Sequence, residues 1–201
     1  MTTPSTARER AKAARTDALL IGAAELFAER GYPGVSLEDI GAAVGVSGPA
    51  VYRHFAGKAA LLAALLISVS ERLVAGGQQV SAASATPVER MRALVAFHVD
   101  FALGNAHVIR VQDRDIVHLS PAAREDVRRL QRAYIELWID ALADLVDGDR
   151  DTLRLRVQAC FGLLNSTPHS TSAALRARTD TAGVLASMAL AALSAETDAE
   201  S

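Results

Sequence analysis

Apolar positions recur along this chain at helical rather than strand spacing. From Thr16 onward, Ala18, Leu19, Ile21, Gly22, Ala23, Leu26 and Phe27 mark one face of a helix that stops at Gly31, a residue type common just past a helix end. Tyr32-Pro33-Gly34 is a turn cluster. Ser36-Leu37-Glu38-Asp39 then has the form of an N-cap with an acid three residues on, and Leu37, Ile40 and Val44 share a face until Gly45 ends the run. Val46 follows as a single apolar plug. Ser47 can cap a further short helix through the Ala50 N–H, a contact worth ~1 kcal/mol, and Pro49 fits the first turn because its missing N–H would have had no partner there. Two short helices around a tight turn containing glycine form the helix-turn-helix pattern.

Beyond Gly57 the pattern predicts helices over 58–75, closed by Gly76-Gly77, and over 88–103, entered through Pro87 and left at Gly104-Asn105. Further helices are predicted over 106–118, 122–146, 150–166 and 173–195, separated by Ser120-Pro121, Asp147-Gly148-Asp149 and the region of Pro168. No internal repeat and no sustained strand alternation interrupts this series. The expectation is an all-α chain of about nine helices. It divides into a basic, flexible arm at 1–15, a three-helix helix-turn-helix unit at 16–59, and a helical remainder at 60–201 for ligand binding and dimerisation.

Composition changes this picture little, whereas charge placement sharpens it. The net charge of −2 is a poor recommendation for a nucleic-acid binder. Yet residues 1–59 hold seven Lys/Arg against six Asp/Glu, and Arg8, Arg10, Lys12 and Arg15 face only Glu9 within the first fifteen residues. The lone Cys160 and the absence of a C-x-x-C pair fit a reducing compartment. Met1 to Arg15 has no apolar core of a signal peptide, and the apolar runs 59–69 and 182–193 are short or Ala/Ser-rich for a bilayer span. A cytoplasmic protein without a membrane partner is expected. His98, His118 and His169 have no H-x-x-x-H or H-E-x-x-H companion, so no metal or cofactor is expected, and Ser166 with His169 lacks an oxyanion-forming glycine loop.

On the second short helix, Val51 and Phe55 fall together at i, i+4 as a core face, while Pro49, Ala50, Tyr52 and Arg53 point away and His54 lies at the boundary. Taken alone, Tyr52 fits a rim aromatic and Arg53 a solvated charge. On the second helix of a helix-turn-helix, the same tips suit DNA: hydroxyl, imidazole and ammonium groups match phosphate oxygens, and a guanidinium takes a phosphate or the guanine edge.

The span AAELFAERGYPGVSLEDIGAAVGVSGPAVYRHFAGKAALLAALL resembles the DNA-binding domain of the TetR family of bacterial repressors. The resemblance implies that Tyr52, His54 and Lys58 bind backbone phosphates and that Ser36 and Ser47 add hydroxyl contacts near helix N-termini. It also places Gly48, Pro49 and Arg53 toward the bases. Gly48 stands where Lys, Arg or Gln is frequent in the family, and Glu38 where a basic residue is frequent. Base readout therefore leans on Arg53, on thymine-methyl contacts from Pro49 and Ala50, and on DNA shape, while the basic arm from Arg8 to Arg15 is open to two readings, minor-groove or phosphate contacts and a solvated tail.

The resemblance further implies a homodimer that binds double-stranded operator DNA and releases it when a small effector enters the C-terminal part. A largely apolar effector of acyl-CoA or fatty-acid type is the family-based expectation. Candidate ligand residues are His98, Phe101, Gln112, Asp115, Tyr134, Trp138 and Asn165, polar or aromatic groups on otherwise apolar faces. Each also fits a structural role: His98 as a satisfied core histidine, Tyr134 and Trp138 as core, Asn165 as a cap, and Gln112 and Asp115 as partners of buried polar groups. Leu153, Val157, Phe161 and Leu164 on one late helix, with Leu185, Met188 and Ala192 on the last, are candidates for a two-fold four-helix interface or for internal packing. The rival readings are an enzyme and a helix-turn-helix dimer that senses nothing.

Overall fold

The computed structural model describes residues 6–195, which form helices joined by short turns, with no strand among the described residues. The elements are α1 (Ala7–Arg30), α2 (Leu37–Ala43), α3 (Gly48–Tyr52), α4 (Lys58–Ala82), α5 (Pro87–Gly104), α6 (Ala106–Asp115), α7 (Pro121–Ala143), α8 (Arg150–Asn165), α9 (Thr167–Ser170), α10 (Ala173–Arg176) and α11 (Thr181–Ser194), with a 3-10 turn at Ile116–His118. The nine expected helices are present in outline. α9 and α10 are extra single turns, and the last expected helix is broken, its main part starting at Thr181.

Punctuation in the sequence behaves as its chemistry requires at most ends. Gly31 and Gly45 take φ of 77° and 68°, the left-handed region that a Cβ disfavours. Ser36 with Asp39 and Thr86 with Glu89 form complete capping boxes on α2 and α5. Ser47 departs from expectation: its hydroxyl makes no cap, and the Ala50 N–H bonds the Ser47 carbonyl instead at 2.8 Å.

Two larger corrections concern length. α1 starts at Ala7 on a Thr6/Glu9 capping box, so residues 7–15 of the expected flexible arm are helix, and the first five lie outside the described residues. α4 runs on through Gly76-Gly77 to Ala82 and crosses the expected boundary at 59–60 without a break. Those glycines are spacers rather than stops. A Cβ on Gly76 would sit 2.3 Å from the Phe97 ring, and one on Gly77 would sit 2.7 Å from Tyr134. Their bare backbone lets α5 and α7 approach α4 closely.

The packing forms two apolar clusters. The first joins Leu19, Ala23 and Phe27 of α1 to Leu37, Ile40, Val51 and Phe55 around the turn, to Leu61–Val69 of α4, and to Val108, Val111 and Val127. The second gathers Met91–Val99 of α5, Tyr134–Leu142 of α7, Leu153–Leu164 of α8 and Ala189 and Leu193 of α11. Among the described helices α4 alone has the length and apolarity to cross a membrane; its apolar side is packed on α1, α5 and α7. α5 and the following α6 with its 3-10 turn meet at an 82° bend at Asn105, which swings α6 back under α1.

Gly41 holds the helix-turn-helix closed. A Cβ there would lie 2.6 Å from the Val46 carbonyl oxygen, and the backbone cannot yield easily because the Val46 N–H donates to the Gly41 carbonyl at 2.8 Å. Gly41→Ala is expected to destabilise the fold by roughly 1–3 kcal/mol through overpacking, measured by urea denaturation, despite alanine's better helix propensity.

Candidate nucleic-acid interface and ligand cavity

α3 is only five residues long, held by buried Val51 and by Ala50, which is packed inward rather than pointing out toward thymine methyls as expected, with Phe55 buried just beyond it. That is enough to seat it against α2, and it leaves Ser47, Pro49, Tyr52 and Arg53 exposed, with Gly48 and His54 half-buried. The Tyr52 hydroxyl donates to Glu38 Oε1 at 3.3 Å, and the Glu38 charge raises the phenol above its ordinary pKa. Glu38 therefore shares the outer face with Tyr52 and competes with a phosphate for its proton. Ser36 remains exposed, with its hydroxyl engaged by Asp39 at 2.6 Å.

Lys58 does not fit the phosphate role that the resemblance assigned to it. Its ammonium donates to the carbonyls of Tyr32 at 2.8 Å, Val35 at 2.7 Å and Pro33 at 3.5 Å, and sits 4.5 Å from the centre of the Tyr32 ring. Three donors meet three acceptors, so the side chain closes the α1–α2 turn onto the start of α4. The same ring stacks on His118 at 4.6 Å between centroids.

In the second cluster, the rings of His98, Tyr134 and Phe161 line a small cavity, with Trp138 behind them. His98 has ring centroids of Phe161, Tyr134 and Trp138 at 4.7, 5.8 and 5.8 Å. Asn165 Oδ1 lies 3.2 Å from His98 Nε2, and the Tyr134 hydroxyl lies 3.4 Å from Nδ1. A carboxamide oxygen only accepts, so His98 carries its proton on Nε2 and its Nδ1 accepts a hydrogen bond from the Tyr134 hydroxyl. Burial pushes the imidazole down to about 4, opposed in part by the Asn165 bond. Burial also raises the Tyr134 phenol, and it raises the Cys160 thiol to about 11, so both stay protonated at neutral pH.

The cavity measures about 200 Å³, and its polar lining is Ser70, His98, Gln112, Gln131, Tyr134 and Asn165. Four of the expected ligand residues thus converge. Phe101 lies behind the wall with its ring tilted at 41° to that of His98, 5.7 Å between centroids, and Trp138, fully buried, backs Phe161. Asp115 is a correction: it lies away from the cavity, 1% exposed, in a two-pronged pair with Arg114 at 3.0 and 2.9 Å. Arg114 Nη2 also donates to the Phe27 carbonyl near the end of α1. Sequence reasoning missed Arg114 for want of any periodic signal. It also missed Gln131, although that residue falls three positions before Tyr134 on the same face of α7. A larger, more charged groove of about 540 Å³ between α1, α4 and the α5–α6 bend is edged by the exposed Asp17, Glu25 and Arg72, with Ser68, Asn105 and His107 also on its lining.

The expected dimer residues split. Leu153, Val157 and Leu164 are buried inside the protomer, and Phe161 is half-buried and walls the cavity. Leu185 is half-buried against the second cluster, while Met188 and Ala192 are exposed. The outward residues of α8 are instead Leu155, Ala159 and Gly162, beside Val184 and Met188 of α11. The interior assignments failed because the apolar periodicity of α8 marks its inner stripe.

Residues 19–65 match the family described as bacterial regulatory proteins, tetR family, and residues 84–169 match the Tetracyclin repressor-like C-terminal domain. The chain belongs to the TetR family of bacterial regulators. It is 30% identical over 135 residues to the HTH-type transcriptional activator FasR of Mycolicibacterium smegmatis, covering 67% of this chain and 60% of FasR. It is 31% identical over 133 residues to the HTH-type transcriptional repressor KstR2 of Mycobacterium tuberculosis, covering 64% of each. The matched stretch is therefore under two thirds of either relative's length. Among solved structures, that of M. tuberculosis KstR2 superposes with a TM-score of 0.71 at 21% identity, over 89% of this chain and 92% of that one. AibR, solved in complex with isovaleryl coenzyme A and operator DNA, superposes with 0.72 at 21% identity, over 88% and 96%. Likeness at these identities concerns the fold of this TetR-family chain.

Two outcomes follow from the geometry. Lys58→Met should cost roughly 1–3 kcal/mol of stability through three lost charged hydrogen bonds and leave the salt dependence of DNA binding unchanged, read by thermal denaturation and by anisotropy titrations. For His98, the unfolded chain titrates near ~6.5, whereas the folded imidazole resists protonation until about 4. The unfolded state takes the proton first, so stability present above the upper value is lost as pH falls through this window. The loss is on the order of 3 kcal/mol, and His98→Gln should flatten that part of the stability–pH profile.

Proposed function

We propose that this chain is a homodimeric transcriptional repressor of the bacterial cytoplasm that binds double-stranded operator DNA and is released from it by a small, largely apolar effector. The observation that carries this reading is the reach of α6. Gln112 lines the cavity, and two residues later Arg114 donates to the Phe27 carbonyl at the end of α1. A change in the cavity wall therefore acts on the helix that buttresses α2 and α3.

Base preference rests with Arg53, the exposed cation on the outer face of α3, supported by Pro49 and by backbone contacts from Tyr52, His54 and Ser47. Dimerisation is supported by the exposed apolar stripe of Leu155, Val184 and Met188, which are 67%, 53% and 50% exposed.

The cavity supports an acyl group rather than a free acid. Its polar groups are neutral hydroxyls, carboxamides and an unprotonated imidazole, with no Lys or Arg on the wall, so a carboxylate would find no countercharge. A thioester or amide carbonyl meets the Asn165, Gln112 or Gln131 NH2 instead. About 200 Å³ holds roughly seven water-sized groups, the size of a short acyl chain.

The test uses a duplex selected by affinity from a random pool. A short acyl-CoA should release the protein while the matching free acid does not, and Asn165→Leu should raise the effector concentration needed by about tenfold, the cost of one buried hydrogen bond. Arg53→Ala should lose roughly 1–3 kcal/mol of discrimination against other sequences. Met188→Asp should shift the protein to a monomer in light scattering and weaken operator binding. Release by the acid and the acyl-CoA alike would remove the neutral-effector reading.

A further inference from the structure

The helical start of α1 creates a surface that the helix-turn-helix pattern does not contain. Arg8, Lys12 and Arg15 stand at i, i+4, i+7 and so share one face of α1. Thr16 fastens that face to the end of α3: its hydroxyl is 3.1 Å from the Lys12 carbonyl and 3.0 Å from His54 Nδ1. The result is a cleft of about 410 Å³ lined by Arg8, Ala11, Lys12, Arg15, Arg53 and His54.

Every polar group on that lining is cationic or becomes so on protonation. Among the described residues none of Arg8, Lys12, Arg15 and Arg53 has an ion-pair partner, although ten other pairs form elsewhere. The neighbouring acids are engaged differently. Glu9 accepts the Thr6 N–H at 2.7 Å in the capping box, and Asp17 edges the separate groove between α1 and α4. His54 registers the local potential, since burial first and then Lys12, Arg15 and Arg53 hold its imidazole below the ordinary range. Like charges gathered without counterions repel one another, so this arrangement is not explained by stability.

We propose that this cleft is a clamp for the DNA backbone, in which Arg8, Lys12 and Arg15 hold phosphodiesters flanking the bases that α3 faces. The inference rests on the DNA-binding reading above and extends it from the helix-turn-helix to the first turns of α1. Arg53 joins the two surfaces, because it caps α3 and also lines the cleft. The clamp supplies the cationic contacts that Lys58, bonded internally, cannot provide, and it allows a chain of net charge −2 to bind a polyanion through a local concentration of charge. It carries no base readout, so it acts on all sequences alike.

The test compares the full chain with the triple variant Arg8→Ala/Lys12→Ala/Arg15→Ala by fluorescence anisotropy on a mixed-sequence duplex of about three helical turns, from about 50 to 200 mM salt. Each lost phosphate contact lowers the slope of log K against log salt by about 0.9, so the variant's slope should fall by roughly 2 to 3 per protomer. Its thermal stability should be equal or higher, because exposed Ala is a better helix former and repulsion is relieved. Wild-type binding with an unchanged slope in the variant overturns the clamp and leaves the DNA-binding reading standing. Failure of the wild type to bind any duplex overturns both. A parallel titration with sodium pyrophosphate separates a small-anion site: a thermal shift in wild type only, with the DNA slope unchanged, also overturns the clamp.

Discussion

Asp115 is a carboxylate with almost no access to water, and a buried charge must be paired or it costs several kcal/mol. Arg114 pairs it through two parallel bonds and spends a further contact on the Phe27 carbonyl. Because Arg114 and Asp115 are neighbours on α6, it is the Phe27 contact that ties α6 to α1, on the side to which the bend at Asn105 returns it. A second joint reinforces the first, because Tyr32 is gripped between the Lys58 ammonium and the His118 ring. The reading end and the cavity end of the protein therefore meet through two polar joints set in an apolar contact.

Much of this was legible in the sequence because it depends on local chemistry. The capping box at Ser36, left-handed glycines at Gly31 and Gly45, and the buried Val51 and Phe55 follow from spacing alone. Convergence was not legible. Whether His98, Gln112 and Asn165 meet depends on how α5, α6 and α8 cross, and Asp115 shared their polar-on-apolar signature while pointing elsewhere. Gly76-Gly77 misled for a related reason. Glycine ends helices by backbone freedom, but it also lets helices touch, and only the neighbours Phe97 and Tyr134 distinguish the two uses.

Family pattern and physical environment also part company at the cations. Lys58 matches the family motif and is consumed by backbone carbonyls, whereas Arg8, Lys12 and Arg15 lie upstream of the matched residues 19–65 and remain unpaired among the described residues. A motif records which residue types recur at a position. It does not record which of their hydrogen-bonding groups are already satisfied.

The unbroken passage of α4 through both apolar clusters has a mechanical consequence. Its 25 residues make a shaft roughly 37 Å long at the usual rise per residue. The α1–α2 turn is fastened near one end through Lys58, and the glycine pair that admits α5 and α7 lies toward the other. Pivoting such a shaft by about 5° carries its tip through about 3 Å. In a two-fold assembly the two tips would move in senses related by the two-fold rotation, so a displacement too small to disturb either core is comparable with the base-pair step that the reading heads must match.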